Sequence, residues 1–158
     1  MDNNVDLTSL AWCNADSVRV GFESVMKAVD LSKDKCEIHV GCDSHFVSNK
    51  CVFAVVVALY ERGRGGNYFF ARIKKDRKLF ENLKIRLLKE TEYSITLAGL
   101  IRPAENDVAV HLDINPNPAF KSNVVFSPAT AWVKSLGYEC IVKPDAWAAS
   151  GLADAYAK

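Results

Sequence analysis

The sequence predicts an α/β domain in which a mixed five-stranded sheet, ordered 3-2-1-4-5, carries helices on both faces. Three observations lead there. Three β-rich runs follow one another with only turns between them, and two later strand patterns are each preceded by a helical one. The most apolar run, CVFAVVVALY (51–60), is continuous rather than alternating, as in a strand covered on both faces. Three meandering strands followed by two right-handed crossovers set the first strand beside the fourth at the centre of the sheet.

Taken in order, an N-terminal arm runs to about Asn14 and precedes a helical pattern over 15–31. Its apolar positions Val18, Phe22, Val25, Met26 and Val29 recur at three- and four-residue steps. Asn14 is the expected N-cap and SKDK the exit. EIHVGCDSHFV (37–47) is the first strand and 51–60 the second, and ERGRGGN turns the chain into the third, YFFARIKK (68–75). A long helix is expected over 79–100, ending before Arg102-Pro103. DVAVHLDI (107–114) is the fourth strand; two Asn-Pro pairs stop it, because proline lacks an amide donor and restricts the residue before it. A helix over 122–136, closed by Gly137, contains Pro128 and therefore either begins late or kinks. The fifth strand, YECIVK (138–143), leads into a terminal helix from about Pro144.

At 158 residues, about half of them apolar and a quarter charged, the chain is expected to be one soluble domain with a real core. No repeat, low-complexity tract or linker divides it, so residues 1–34 read as an arm and helix belonging to the same unit as a domain at 35–158. No apolar run reaches the roughly 18 to 20 residues of a membrane span. The start, MDNNVDLTS, lacks a basic segment followed by an apolar one, so a cytoplasmic protein is expected. Cysteines 13, 36, 42, 51 and 140 are odd in number and form no C-x-x-C or Cys/His cluster, which argues for free thiols and against a structural zinc site.

Charge is unevenly distributed. Between residues 62 and 89 ten basic residues face two acidic ones, a net of +8, so the rest of this +1 chain carries −7. A basic ribbon beside an acidic remainder suits a polyanion partner meeting an acidic, metal-binding centre. The bland alternative is a solvated hairpin and helix face.

Three aspartates fall at comparable places: Asp43 in the first strand, Asp113 ending the fourth and Asp145 opening the last helix. If the first and fourth strands are parallel neighbours, Asp43 and Asp113 meet at the switch point where open α/β sheets bind ligands. Two carboxylates at close range raise one another's pKa and share a proton or a cation. An all-oxygen environment favours a hard divalent ion such as Mg²⁺. On the long helix, turning about 100° per residue from Leu87 puts Glu90 on the border of the buried face and Glu92 toward solvent. A half-buried acid is costly unless paired or metal-bound, which favours Glu90.

At this point the residues carry a resemblance. The order of acids resembles the ribonuclease H superfamily, and GCDSH, KETEYS, LDINPNPAFKSN, VKPDAWAAS and the terminal ADAYAK are similar to the YkuK-like ribonuclease H-like family over roughly residues 37–158. The resemblance implies a ribonuclease H-like fold with Asp43, Glu90, Asp113 and Asp145 as catalytic metal ligands. It implies a metal-dependent nuclease in which two Mg²⁺ or Mn²⁺ ions, roughly 4 Å apart, activate water and stabilise the leaving oxygen. Nucleic acid is the expected partner, and Ser44, His45, Asn115, Lys121, Ser122, Asn123 and Lys143 are the expected substrate contacts.

Each assignment has a plainer counterpart. Asp43 in D-S-H reads equally as a turn-former, Asp113 before Asn-Pro as a loop start, and Asp145 after Pro144 as a helix cap. Lys121, Ser122 and Asn123 either hold a phosphate at a helix start or simply cap it. His39 and His111 share faces with Asp43 and Asp113 and are expected to pack rather than catalyse. Ribonucleases H carry a mobile histidine before the last aspartate, and this chain has Lys143-Pro144 there.

Among enzymes, a proofreading-type exonuclease needs D-x-E in the first strand, where this chain has Asp43-Ser44-His45. A Holliday-junction resolvase of the RuvC type takes its last two acids from one helix, whereas Asp145 and Asp154 fall on about opposite helical faces. The non-enzymatic alternative is a catalytically silent nucleic-acid-binding module on the same fold.

Overall fold

A computed structural model describes residues 5–102 and 107–158, so Pro103 and the first four residues of MDNNVDLTS lie outside the described residues. The chain forms one mixed sheet with helices on both faces. Among the described residues it has seven strands rather than five, because the N-terminal arm is itself part of the sheet. Trp12–Asn14 (β1) pairs antiparallel with Arg19–Val20 (β2) and, on its other side, with the third of the long strands.

Asn14 is therefore a turn residue and not a helix cap. Its Oδ1 accepts the amides of Asp16 and Val18, each at 3.0 Å, and Ser17 between them takes a positive φ of 60°. Asparagine favours such side-chain-to-backbone turns over helix initiation inside a hairpin. The helix α1 accordingly begins seven residues later than the periodicity implies, at Phe22–Ser32, and buries Val25 and Val29. Val18 is left 56% exposed, outside the helix whose spacing it fitted.

The long strands follow as β3 (Glu37–Val47), β4 (Lys50–Glu61) and β5 (Gly65–Asp76). Short turns join them: β3 and β4 register without a bulge from Glu37↔Tyr60 to Val47↔Lys50, and β4 and β5 from Lys50↔Asp76 to Glu61↔Gly65. The long helix α2 spans Leu83–Ile101 behind a 3₁₀ turn at Arg77–Phe80. Asn82 caps it by accepting the Ile85 amide at 3.1 Å, a contact typically worth about 1 kcal/mol. β6 (Val108–His111) runs parallel to β3, and β7 (Glu139–Ile141) parallel to β6. Between them α3 (Phe126–Ser135) begins late, after a 3₁₀ turn at Lys121–Val125, so that Pro128 falls in its first turn where its missing amide costs nothing. The sheet order is β2-β1-β5-β4-β3-β6-β7, and its run from β5 to β7 reproduces the expected 3-2-1-4-5, with β1 and β2 added at the β5 edge.

Two layers cover the sheet. The main core sets Val25 and Val29 of α1, Leu87, Leu97, Ala98 and Ile101 of α2, and Ala129 and Val133 of α3 against the Ile38, Val40 and Cys42 face of β3 and the Phe53, Val55 and Val57 face of β4. On the opposite face lies the C-terminal segment, a π-helical turn at Ala148–Ala153 running into α4 (Asp154–Ala157). The terminal helix thus starts several residues beyond Pro144. Ala153 and Ala157 pack on Ala54, Val56 and Phe70 in a smaller core of small side chains. Such residues let the segment lie close to the sheet, and Gly41 is required for it: a Cβ there would stand 2.6 Å from the Ala148 carbonyl carbon.

Candidate metal centre

β3 alternates its side chains between the two layers, so neighbouring residues reach different partners. Ser44 points toward α2, where its Oγ donates to Glu90 Oε1 at 2.6 Å. Asp43 and His45 point toward the C-terminal segment, where His45 Nε2 lies 2.6 Å from Asp154 Oδ1 and 3.6 Å from Asp43 Oδ2. Asp43 Oδ1 accepts the Ser44 amide at 2.9 Å. From the adjacent parallel strand, Asp113 stands just past the end of β6, where Lys143 Nζ meets its Oδ1 at 3.0 Å. Four carboxylates from β3, α2, the β6 exit and α4 therefore gather at the carboxyl rim of the central strands.

Their electrostatics show negative charge in excess of what the protein neutralises. Burial, then the charge of Asp113 and the neighbouring Asp154, push the Asp43 carboxyl up to about 8. Burial and the Asp43 charge hold Glu90 well above the usual carboxylate range, against the hydrogen bond from Ser44. Asp154 goes the other way: partial burial raises it, but hydrogen bonds from His45 and Lys158 outweigh that and bring it to about 2. Asp113 Oδ1 is buried without a well-aligned hydrogen bond, its close partner being the Lys143 ammonium. A partly buried carboxylate cluster with an under-coordinated oxygen and two members, Asp43 and Glu90, pushed toward holding a proton fits divalent cations bound through oxygen.

Asp145 is placed elsewhere. It is exposed and lines a separate cleft of about 540 Å³ with Glu37, His39, Tyr60, Arg62, Glu139 and Trp147, at the opposite end of β3. The reason lies in the backbone: residues 144–147 turn, as the Asp145 amide bonds Val142 O and the Trp147 amide bonds Asp145 O, before the helical segment begins. The chain must first cross Gly41 at Ala148 and climb to the level of Asp43, so the acid delivered there is Asp154. Among the described residues, Asp43, His45 and Asp154 are the group whose ligand atoms lie within 4.8 Å of one another. The signal for Asp154 was the ADAYAK tail, whose small residues mark the sheet-packed face of a helix.

The other expected contacts divide by environment. Ser122 Oγ accepts the Asn115 amide at 2.9 Å, and Asn123 Nδ2 donates to the carbonyls of Asn115 and Pro116 at 3.1 and 3.0 Å. These three residues brace the Asn-Pro loop that presents Asp113, and Lys121 beside them is exposed. Glu92, the other candidate on this helix, accepts from Lys89 Nζ at 3.0 Å.

The buried histidines are structural. The Ala148 amide donates to His111 Nδ1 at 3.2 Å, and His111 Nε2 meets His39 Nδ1 at 2.8 Å. Since His111 Nδ1 is an acceptor, its Nε2 carries the hydrogen and donates to His39. Burial lowers His39, and burial with the neighbouring His39 lowers His111 to about 3, so both rings are neutral.

The basic ribbon is ordered by register. Asp43 pairs with Ala54 and Ala54 with Arg72, while His45 pairs with Val52 and Val52 with Lys74. Directly paired residues share a face, so Arg72 and Lys74 lie in the same cross-strand rows as the site, roughly 10 Å away at two strand spacings. Arg72 also donates to Tyr156 O at 2.6 Å, tying α4 to the sheet beside the stacked pair Phe70 and Tyr156. Arg77 and Arg86 both lie over the Phe46 ring, at 4.3 and 4.7 Å.

No helix among the described residues is long and apolar enough to cross a membrane. Searches of curated proteins and of solved structures found no match to the chain. A family model described as Ribonuclease H-like matches residues 21–158, from the start of α1 to the last residue of α4's cap, and its reach agrees with the sheet order and the acids at its rim. The chain belongs to the ribonuclease H-like family, a membership that points to a nuclease-like or nucleic-acid-binding module.

Proposed function

We propose that the protein is a metal-dependent nuclease that hydrolyses phosphodiester bonds of nucleic acid, with two Mg²⁺ or Mn²⁺ ions held by Asp43, Glu90, Asp113 and Asp154. The observation that carries this reading is the convergence of four carboxylates from four elements at one rim, with Asp43 pushed up to about 8 by burial and like charge. When bound, the ions supply a polarised phosphate and an activated water.

The remaining work belongs to the chain. Asp43 stands between the two layers, in electrostatic reach of Asp113, Glu90 and Asp154, and is the carboxylate suited to serve both cation positions. Ser44 orients Glu90 through its 2.6 Å hydrogen bond. Lys143, which meets Asp113 Oδ1 at 3.0 Å, would be free to contact a phosphate oxygen if bound cations neutralised that carboxylate. The rows through Arg72 and Lys74 extend positive charge across the sheet for contact with the sugar-phosphate backbone, which fixes position without reading sequence.

The test is an assay of labelled single-stranded, duplex, hybrid and branched substrates with Mg²⁺ or Mn²⁺. Cleavage by the native chain and its loss in Asp43→Asn and Asp113→Asn, with the fold kept, is the expected result. Full metal-dependent activity in either variant contradicts the mechanism. Binding without cleavage by the native chain assigns it to a silent binding module.

A further inference from the structure

The two cation positions are not chemically alike. Building on the carboxylate-site reading above, we propose that His45 is a direct metal ligand, so that one position is all oxygen, from Asp43, Glu90 and Asp113. The other is a mixed nitrogen–oxygen position formed by Asp43, His45 Nε2 and Asp154. The mixed position takes a first-row transition-metal dication such as Mn²⁺ in preference to Mg²⁺.

The geometry of the three donors supports this. Ligand atoms about 2.1 Å from one ion stand roughly 3 Å apart when adjacent and about 4.2 Å when opposite. His45 Nε2 lies 2.6 Å from Asp154 Oδ1 and 3.6 Å from Asp43 Oδ2, and donor atoms of all three fall within 4.8 Å of one another. Small side-chain rotations therefore complete a coordination face. β3 enforces the arrangement, because residues two apart on a strand point the same way, so any D-x-H in this strand aims its imidazole beside its carboxylate.

The surroundings leave room for the rest of a coordination sphere. The side chains of His45 and Asp154 are 34% and 29% exposed, against 9% for Asp43, so the position opens to solvent on one side. Lys158 Nζ engages the other Asp154 oxygen, Oδ2, at 3.1 Å and leaves Oδ1 directed at His45. Mg²⁺ favours carboxylate, carbonyl and water oxygens, whereas imidazole raises affinity for the transition metals. Replacing one oxygen donor by a nitrogen on the first strand thus shifts selectivity at one position and leaves the other hard.

The experiment uses the full chain, titrated with Mn²⁺ and with Mg²⁺ by calorimetry and examined after Mn²⁺ loading by pulsed electron paramagnetic resonance. The native protein is expected to bind two Mn²⁺ and to show nitrogen coupling that changes on ¹⁵N-histidine labelling, a readout that needs no variant. His45→Ala is expected to lose that coupling and to bind one Mn²⁺ at least tenfold more weakly, with Mg²⁺ binding at the oxygen position unchanged. Asp113→Asn is expected to weaken the other ion instead. Two bound Mn²⁺ without histidine nitrogen coupling, or native Mn²⁺ affinity in His45→Ala, overturns the proposal while leaving the carboxylate site standing. No Mn²⁺ or Mg²⁺ binding by the native chain overturns both.

Discussion

Gly41 of β3 and Ala148 of the C-terminal segment are in backbone contact: a Cβ on Gly41 would meet the Ala148 carbonyl carbon at 2.6 Å and the Ala149 nitrogen at 2.7 Å. Neither atom is the movable end of a side chain, so the segment lies as close to the sheet as a glycine permits. Gly41→Ala is expected to lift the segment that carries Asp154 and to cost about 1–3 kcal/mol of stability. Thermal unfolding reads the stability, and metal titration the accompanying loss of affinity. A variant with native affinity and native melting would show that the contact positions nothing.

Ser44 and Glu90 make the other cross-layer contact, at 2.6 Å. Ser44→Ala removes the donor that opposes the burial and like-charge effects on Glu90. Its pKa should rise further and the affinity for divalent ions fall about tenfold, the usual scale for an orienting partner of a ligand. Calorimetric titration of the variant, with circular dichroism as a fold control, checks this.

Asp43 is expected to give the proposed metal site a pH dependence. Its folded pKa of about 8 lies above its ordinary value of 3.8, so the metal-free carboxyl holds a proton at neutral pH that a cation must displace. Affinity should rise with pH by up to about tenfold per unit and level off above 8. Titrations in buffers of different ionisation heat should show at least about one proton released at pH 7, from Asp43, with Glu90 adding to it. Without metal the sign of the stability effect is set by the same shift: the contribution is full below 3.8 and lost as pH rises through about 8.

The neutral histidine pair acts with the opposite sign. His111 is held at about 3, from an ordinary 6.5, by burial and by His39. An unfolded chain takes up that proton below 6.5 while the folded one does not until about 3, so stability falls by up to about 1.4 kcal/mol per pH unit over that window. Acid unfolding of His111→Gln should show a shallower slope between those limits than the native chain.

Much of this arrangement was legible in the sequence, and the parts that were not share a cause. β-rich runs placed the five strands from β3 to β7 and the crossovers between them, since an uninterrupted apolar stretch such as 51–60 suits a strand covered on both faces. The helical position of Glu90 relative to Leu87 put it on the border of the buried face, and it is in fact buried, at 6% exposure. Periodicity failed where a turn residue intervened: Val18 fits the spacing of α1, yet Asn14 folds back on the amides of Asp16 and Val18 and makes a hairpin. It failed again after Pro144, which reads as a helix start but introduces a turn that delays the helix to Ala148 and makes Asp154 the acid beside Asp43. In both places local side-chain and backbone geometry decided the register, and apolar spacing carries no record of it.

Asp43 is proposed to serve both cation positions, and Asp154, from α4, to complete the site. Counting the divalent ions bound at pH 8 by native protein, Asp43→Asn, Asp154→Asn and Asp145→Asn tests it in one calorimetric series. Two ions are expected for the native chain and for Asp145→Asn, with affinity about a hundredfold weaker in Asp43→Asn and one ion lost in Asp154→Asn. Two ions bound with native affinity by Asp43→Asn, or an ion lost in Asp145→Asn and kept in Asp154→Asn, would contradict it.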